Sequence, residues 1–308
     1  MNICVVGAGA IGGWIAAKLA LAGEQVMALT SRGALDRIEV SEGNESRTTE
    51  FTRFDGPAGL LVVAVKAMAL EAAAQSAEAL VSYETIIVPM LNGVPWWFIK
   101  GEPLTSVDPH GAVAAAFPFE QIVGCVVHAS CRRSGPANIV VNHADKLIIG
   151  DPGCGETSER AARLFALLDE AGLNPDLTGN VRRAIWYKLW GNATINPLSA
   201  LTRATAAPIL ADPECRAWML EGMAELAAIG AAIGCPISES GEDRMQVTAR
   251  LGAFKTSMLQ DVEAGRSIEL EALLGAPREI ARRHGIATPA LDRLYNVTKL
   301  MAESLGLA

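Results

Sequence analysis

Gly7, Gly9 and Gly12 fall at G-x-G-x-x-G spacing near the start of the chain. Residues 2–6 ahead of them form an apolar, β-branched run that reads as a buried strand. Behind them Ile15, Ala16, Leu19 and Ala20 recur at helical spacing until Gly23. Between a strand and a helix this motif has a mechanical meaning. The first glycine allows the tight turn, the second lets a pyrophosphate approach the backbone, and the third lets helix and strand pack closely. Phosphates then rest on free N–H groups at the helix N-terminus, where the dipole favours negative charge. The alternative is a glycine-rich turn without a ligand.

A dinucleotide site of the NAD type places an acidic residue about 20 residues past the glycines, at the end of the second strand. Here that place reads Thr30-Ser31-Arg32-Gly33, with no carboxylate. Two hydroxyls and a guanidinium suit a 2′-phosphate, which Arg32 can bond bidentately while stacking on the adenine. This points to NADPH rather than NADH. The competing reading is a polar turn with a solvated arginine.

Two further clusters lie in the second half. In W-Y-K-L-W-G-N-A-T-I-N-P, Lys188, Asn192 and Asn196 stand at i, i+4 and i+8, which on a helix is one face. Trp186, Leu189, Trp190, Ile195 and Leu198 around them mark that helix as largely buried. A lysine with two amides is a compact donor set for a carbonyl, hydroxyl or carboxylate. It is equally a snorkelling lysine with asparagines capping helix ends beside Pro197. In T-S-M-L-Q-D-V-E-A-G-R-S-I-E, Ser257 and Asp261 share a face, Gly265 can end the helix, and Glu269 falls in the first turn of the next. There a carboxylate complements the helix dipole, whether or not it does chemistry.

The elements that must carry these residues divide the chain. Residues 24–30, 60–65 and 85–91 read as strands, the last closed by Asn92-Gly93, with a crossover helix over 68–80. Shorter strands, some antiparallel, follow at 122–129, 137–141 and 147–149, then a helix capped by Ser158 and ended by Gly172. Strands alternating with helices imply a parallel sheet covered on both faces. From Val181 onward Ala, Leu, Glu and Arg recur at helical periods, with stops expected at Pro197, Pro208, Pro213, Pro236 and Pro289. The expected architecture is α/β: an N-terminal Rossmann-type dinucleotide-binding domain over 1–179 and an all-helical substrate domain over 180–308. A cleft between two such domains is the default substrate site.

The composition excludes several functions. A net charge of −8 over 308 residues argues against a nucleic-acid or membrane-surface partner. Half the residues are hydrophobic, enough for a sizeable core, yet no run of about 18 apolar residues occurs. The cysteines (Cys4, Cys125, Cys131, Cys154, Cys215 and Cys235) are scattered without C-x-x-C, and the four histidines lack metal-ligand spacing. Reduced thiols, a cytoplasmic location and no metal are expected.

Together these segments resemble the ketopantoate reductase (2-dehydropantoate 2-reductase) family over most of the chain. Gly7-Ala8-Gly9-Ala10-Ile11-Gly12 matches its fingerprint, Val65-Lys66-Ala67 a strand-end lysine that contacts the cofactor, and Leu91-Asn92-Gly93-Val94 a turn that meets cofactor and substrate. Lys188-Leu189 with Asn192 and Ile195-Asn196-Pro197-Leu198 matches the catalytic lysine and substrate asparagines. Ser257-Met258-Leu259-Gln260-Asp261 and Glu269 match the substrate serine and active-site glutamate. The resemblance implies an NADPH-dependent oxidoreductase of pantothenate biosynthesis that reduces ketopantoate to pantoate, with Lys188 as proton donor. The chain departs from the pattern at Ser31-Arg32, where the arginine comes one residue late. It departs again at Leu270-Glu271, at Leu274-Gly275, at Trp96-Trp97, and at Arg203-Ala204, where another asparagine can stand. The alternatives are a reductase of another 2-oxo acid, an opine-type dehydrogenase, or a non-catalytic NADP-binding sensor; a homodimer is left open.

Overall fold

The computed structural model describes residues 1–153 and 155–307, so Cys154 lies outside the described residues. By its contacts the chain divides into two compact units. The first comprises Met1–Leu91, Trp97–Pro103 and His110–Ala184, and the second Asn92–Trp96, Leu104–Pro109 and Ile185–Ala308.

The first unit opens with β1 (Asn2–Val6), α1 (Ala10–Leu21) and β2 (Gln25–Thr30), followed by β3 (Gly33–Leu35), β4 (Arg37–Glu42), β5 (Glu45–Glu50) and β6 (Leu60–Val63). Next come α2 (Leu70–Ala77), flanked by 3₁₀ turns, then β7 (Ile86–Pro89), α3 (Ala112–Ala116), β8 (Gly124–Gly135), β9 (Asn138–Gly150), α4 (Glu159–Glu170) and β10 (Pro175–Leu177). Strands β3-β2-β1-β6-β7 form one sheet, parallel except for β3. The strands expected at 24–30, 60–65 and 85–91 are β2, β6 and β7 of this sheet. Ser158 caps α4 by accepting from the Ala161 amide at 3.1 Å.

A second sheet was not foreseen. Strands β10-β9-β4-β5 pair in that order and β8 lies antiparallel to β9. The two short strands expected at 137–141 and 147–149 are parts of the single strand β9. Strand β5 (E-S-R-T-T-E) is exposed apart from Thr49 and carries no apolar alternation, whereas β4 alternates only briefly, through buried Ile38 and Val40. The second sheet explains why α1 is apolar all round, since α1 packs against β1 and β2 on one side and against β4, β8 and β9 on the other. Gly13 marks the closest approach: a Cβ there would stand 2.5 Å from Ile139 Cδ1 and 2.8 Å from Ile38 Cδ1. Ile3, Val5, Ile15, Leu19, Val62, Val88, Ile139, Leu164 and Leu168 share the resulting core.

The second unit contains no strand among its described residues. Its helices are α5 (Val181–Thr202, beginning in the first unit), α6 (Ala206–Ala211), α7 (Pro213–Ala232), α8 (Gly241–Ala249), α9 (Ser257–Glu263), α10 (Ala276–Arg283) and α11 (Pro289–Ser304). Helix α5 is fastened to α7 by two buried indoles: Trp186 Nε1 donates to the Leu226 carbonyl at 3.1 Å and Trp190 Nε1 to the Met223 carbonyl at 2.8 Å. Gly222 and Gly230 of α7 provide the room, being packed against Thr194 and Trp186.

Proline did not stop α5. Pro197 lies inside the helix and deletes one ladder bond, to the Ala193 carbonyl. The helix continues to Thr202 because Ile195, Leu198 and Ala200 beyond and before it are buried. Pro208, Pro213 and Pro289 stand in first turns, where an N–H has no intrahelical partner, so they start helices rather than end them.

Candidate active site

In the first unit the glycine turn joins β1 to α1. Gly7 has φ 91° and no room for a side chain, since a Cβ would lie 2.6 Å from the Ala64 carbonyl oxygen. Gly12 packs directly on the Gly7 carbonyl. Gly9 is open on its outer face, with only Gly7 O, at 3.8 Å, near a would-be Cβ. The amides of Gly7 and Ala8 both donate to Leu29 O, and the first intrahelical bond runs from Gly13 N to Gly9 O at 3.0 Å. The Ala10, Ile11 and Gly12 amides precede that bond and have no intrahelical acceptor. No side chain caps α1 and no acidic residue stands in its first turn. A pyrophosphate fits this cradle, in room, donors and charge.

The same end of the sheet presents the other cofactor candidates. Ser31 and Arg32 form the two-residue turn between β2 and β3, closed by Thr30 Oγ1, which donates to Gly33 O at 2.9 Å and accepts from Arg32 N at 3.2 Å. Both are exposed, and among the described residues the Arg32 guanidinium has no carboxylate partner. Lys66 follows Ala64 and Val65, the residues on which Gly7 packs, and precedes the 3₁₀ turn Ala67–Ala69.

The second unit gathers most of the other candidates. Asn92 sits between two charged groups: its Oδ1 accepts from Lys188 Nζ at 3.3 Å, and its Nδ2 donates to Glu269 Oε2 at 3.3 Å. One amide thus orients an ammonium and a carboxylate from residues 188 and 269. On α5, Lys188, Asn192 and Asn196 form the row opposite the two indoles, a rotation of about 200° from Trp186 to Lys188. Asn196 is buried and its Nδ2 lies 3.4 Å from Ser257 Oγ. Asn192 is half-buried between them, and among the described residues its amide has no hydrogen-bond partner. Lys188 and Asn196 are some 12 Å apart along the helix axis, so the row has a lysine end and a serine end.

Local chemistry fixes the flanking pieces. Thr256, not Ser257, caps α9, accepting from the Leu259 amide at 3.2 Å, which leaves the exposed Ser257 hydroxyl for Asn196. Glu269 stands one residue ahead of the helical run that begins at Leu270, rather than inside its first turn, and its carbonyl accepts from Leu273 N. Its carboxylate accepts from Asn92 Nδ2.

One anchor had no sequence signal. The carboxylate of Glu279 accepts from Thr105 N at 3.0 Å, Thr105 Oγ1 at 3.2 Å and Ser106 N at 2.8 Å, and also from Ser106 Oγ and Arg283. Burial works against its charge, but these donors and the Arg283 guanidinium prevail and hold its carboxyl at about 2. This ties residues 104–109 to the unit that contains Asn92. A pairing more than 170 residues apart in sequence leaves no local pattern to read.

Among the described residues no cluster of histidine, cysteine or acidic side chains has metal-binding geometry, and no cysteine forms a disulfide. No helix among the described residues is long and apolar enough to cross a membrane.

The glycine cradle on a parallel sheet and the polar row on a helical unit define a Rossmann-type oxidoreductase architecture. Models of the ketopantoate reductase PanE/ApbA family match residues 3–153, and models of the C-terminal part of that family match 180–302. The chain belongs to the ketopantoate reductase family. It is 36% identical, over 99% of both chains, to a 2-dehydropantoate 2-reductase of Mesorhizobium japonicum. It is 42% identical to a candidate ketopantoate reductase of Ralstonia solanacearum MolK2, whose crystal structure superposes with a TM-score of 0.92 over 100% of this chain and 99% of that one. The 2-dehydropantoate 2-reductase of Geobacter metallireducens is 27% identical, with a TM-score of 0.84 over 98% and 100% of the chains.

Proposed function

We propose that this chain reduces 2-dehydropantoate to pantoate with NADPH, residues 1–179 holding the dinucleotide and 180–308 the 2-oxo acid. The observation that carries the reading is Asn92 bonded to both Lys188 and Glu269. The backbone of Gly7, Ala8, Gly9, Ala10, Ile11 and Gly12 would hold the pyrophosphate, Ser31 and Arg32 the 2′-phosphate, and Lys66 and Asn92 the nicotinamide half. When bound, the reduced dinucleotide supplies the hydride.

The rest is done by side chains. The Lys188 ammonium stabilises negative charge developing on the ketone oxygen and donates the proton that makes it a hydroxyl. Asn92 keeps that ammonium aimed. Glu269 accepts from a substrate hydroxyl. Asn192 is available to the substrate because no side chain claims it. Asn196 and Ser257, already paired, orient the carboxylate. NADPH is favoured over NADH by the lack of an acidic residue on the β2–β3 turn and by the unpaired Arg32.

A second reading, the same reaction on a related branched 2-oxo acid, is favoured by Arg203. It is exposed and left-handed, with φ 60°, at the end of the α5 row where the family can carry an asparagine. NADPH oxidation followed at 340 nm with a panel of 2-oxo acids separates the two. Fastest turnover on 2-dehydropantoate supports the first reading, and fastest turnover on another acid replaces it with the second.

A further inference from the structure

The helix that follows Glu269 contains a fault, and the fault has a use. Residues Glu271–Gly275 form a π-helical turn in which the Ala276 amide reaches back five residues to Glu271 O. In a regular α-helix that amide would bond Ala272 O. In the π register Ala272 O would instead accept from residue 277, but residue 277 is proline and has no N–H. The Ala272 carbonyl is thus deprived of both helical donors. A buried carbonyl needs a partner, and this one is supplied from far away in sequence: Val94 N donates to Ala272 O at 2.8 Å.

Val94 is 1% exposed and lies two residues after Asn92. Between them Gly93, with φ 78°, lies so close to Ala272 that a Cβ would overlap its backbone. The Asn92-Gly93-Val94 turn is therefore docked on the π turn, three residues past Glu269. The π turn is braced in turn: Glu271 Oε1 accepts from Tyr295 OH at 2.6 Å, and the other oxygen lies over Gly275, where a Cβ would have to displace it. π turns interrupt helices at a cost and are found often at functional sites.

We infer that Pro277 is a positioning residue: by withholding an N–H from the π turn it leaves the Ala272 carbonyl to Val94, and so sets Asn92 between Lys188 and Glu269. The inference rests on the reductase reading above for its catalytic consequence, but not for the docking itself. It assigns Pro277 no contact with substrate.

The test is Pro277→Ala in the full chain. Alanine restores an N–H that competes for the Ala272 carbonyl and suits a helix better than proline. The melting temperature is therefore expected to hold or rise while function falls. Amide exchange at Val94 is expected to speed up at least about tenfold. The kcat for NADPH oxidation with 2-dehydropantoate is expected to drop roughly tenfold or more, with a smaller rise in KM for NADPH, whose pyrophosphate half rests on the glycine turn. Val94 exchange and kcat both at wild-type values would overturn the inference, as would faster exchange with unchanged kcat. In the unmodified protein Val94 must itself be among the slowly exchanging amides, and rapid exchange there overturns the docking without any variant. A wild-type protein inactive on every 2-oxo acid would instead sink the reductase reading, leaving the exchange result to decide the docking.

Discussion

In the first unit the groups available to an anion are amides of consecutive residues, Ala10 to Gly12, placed by one turn. In the helical unit the polar groups that meet come from residues 92, 188 and 269, placed by three separate elements. The first kind of site depends on what is missing: side chains at Gly7, Gly9 and Gly12, and an acid in the first turn. The second depends on what is held: indoles that fasten α5, a proline that frees a carbonyl, a carboxylate that ties residues 105 and 106. A backbone site is written in a few adjacent letters. A side-chain site is written across the chain.

Variants should separate these two designs. Trp190→Ala removes a buried indole and its bond to Met223 O, and should destabilise the helical unit by about 3–5 kcal/mol. Thermal unfolding measures it, and a loss under about 1 kcal/mol would mean that α5 is not fastened through this residue. Gly12→Ala places a methyl on the Gly7 carbonyl and against Ala64, and should cost about 1–3 kcal/mol while abolishing NADPH binding. Retained binding in a fluorescence titration would break the view of this turn as a backbone cradle.

Glu279→Gln should cost about 2 kcal/mol near neutral pH, since it keeps the shape but loses the charge that five donors address. The pH dependence has a definite sign. The folded carboxyl titrates at about 2, below its ordinary 4.5, so its contribution is complete above 4.5 and fades as pH falls toward 2. Wild type and variant should therefore converge in stability across that window, and a constant difference down to pH 2 would refute the assignment. The smallest effect belongs to Arg32→Ala, which should raise KM for NADPH about tenfold and leave KM for NADH unchanged. Equal changes for both would remove the 2′-phosphate role.

Legibility in the sequence followed the same division. The strand–glycine–helix unit, the central parallel strands and the Lys188-Asn192-Asn196 row were all readable, because each is set by residues within about twenty positions of one another. The second sheet was not, since β4 depends on pairing with a strand near residue 140 and β5, which pairs only with β4, carries no apolar alternation. Pro197 misled because a proline in a helix that is buried on both sides of it costs one bond and not the helix. Asn92 was readable as a turn residue. That its turn docks on Ala272, and that Thr105 and Ser106 bind Glu279, depends on segments far apart in sequence.

The most direct test compares single-turnover NADPH oxidation by wild type and Lys188→Ala at saturating 2-dehydropantoate. Loss of the proton donor should slow the step at least about 10²-fold with NADPH affinity intact. An unchanged rate would show that the ammonium held by Asn92 takes no part in the reduction.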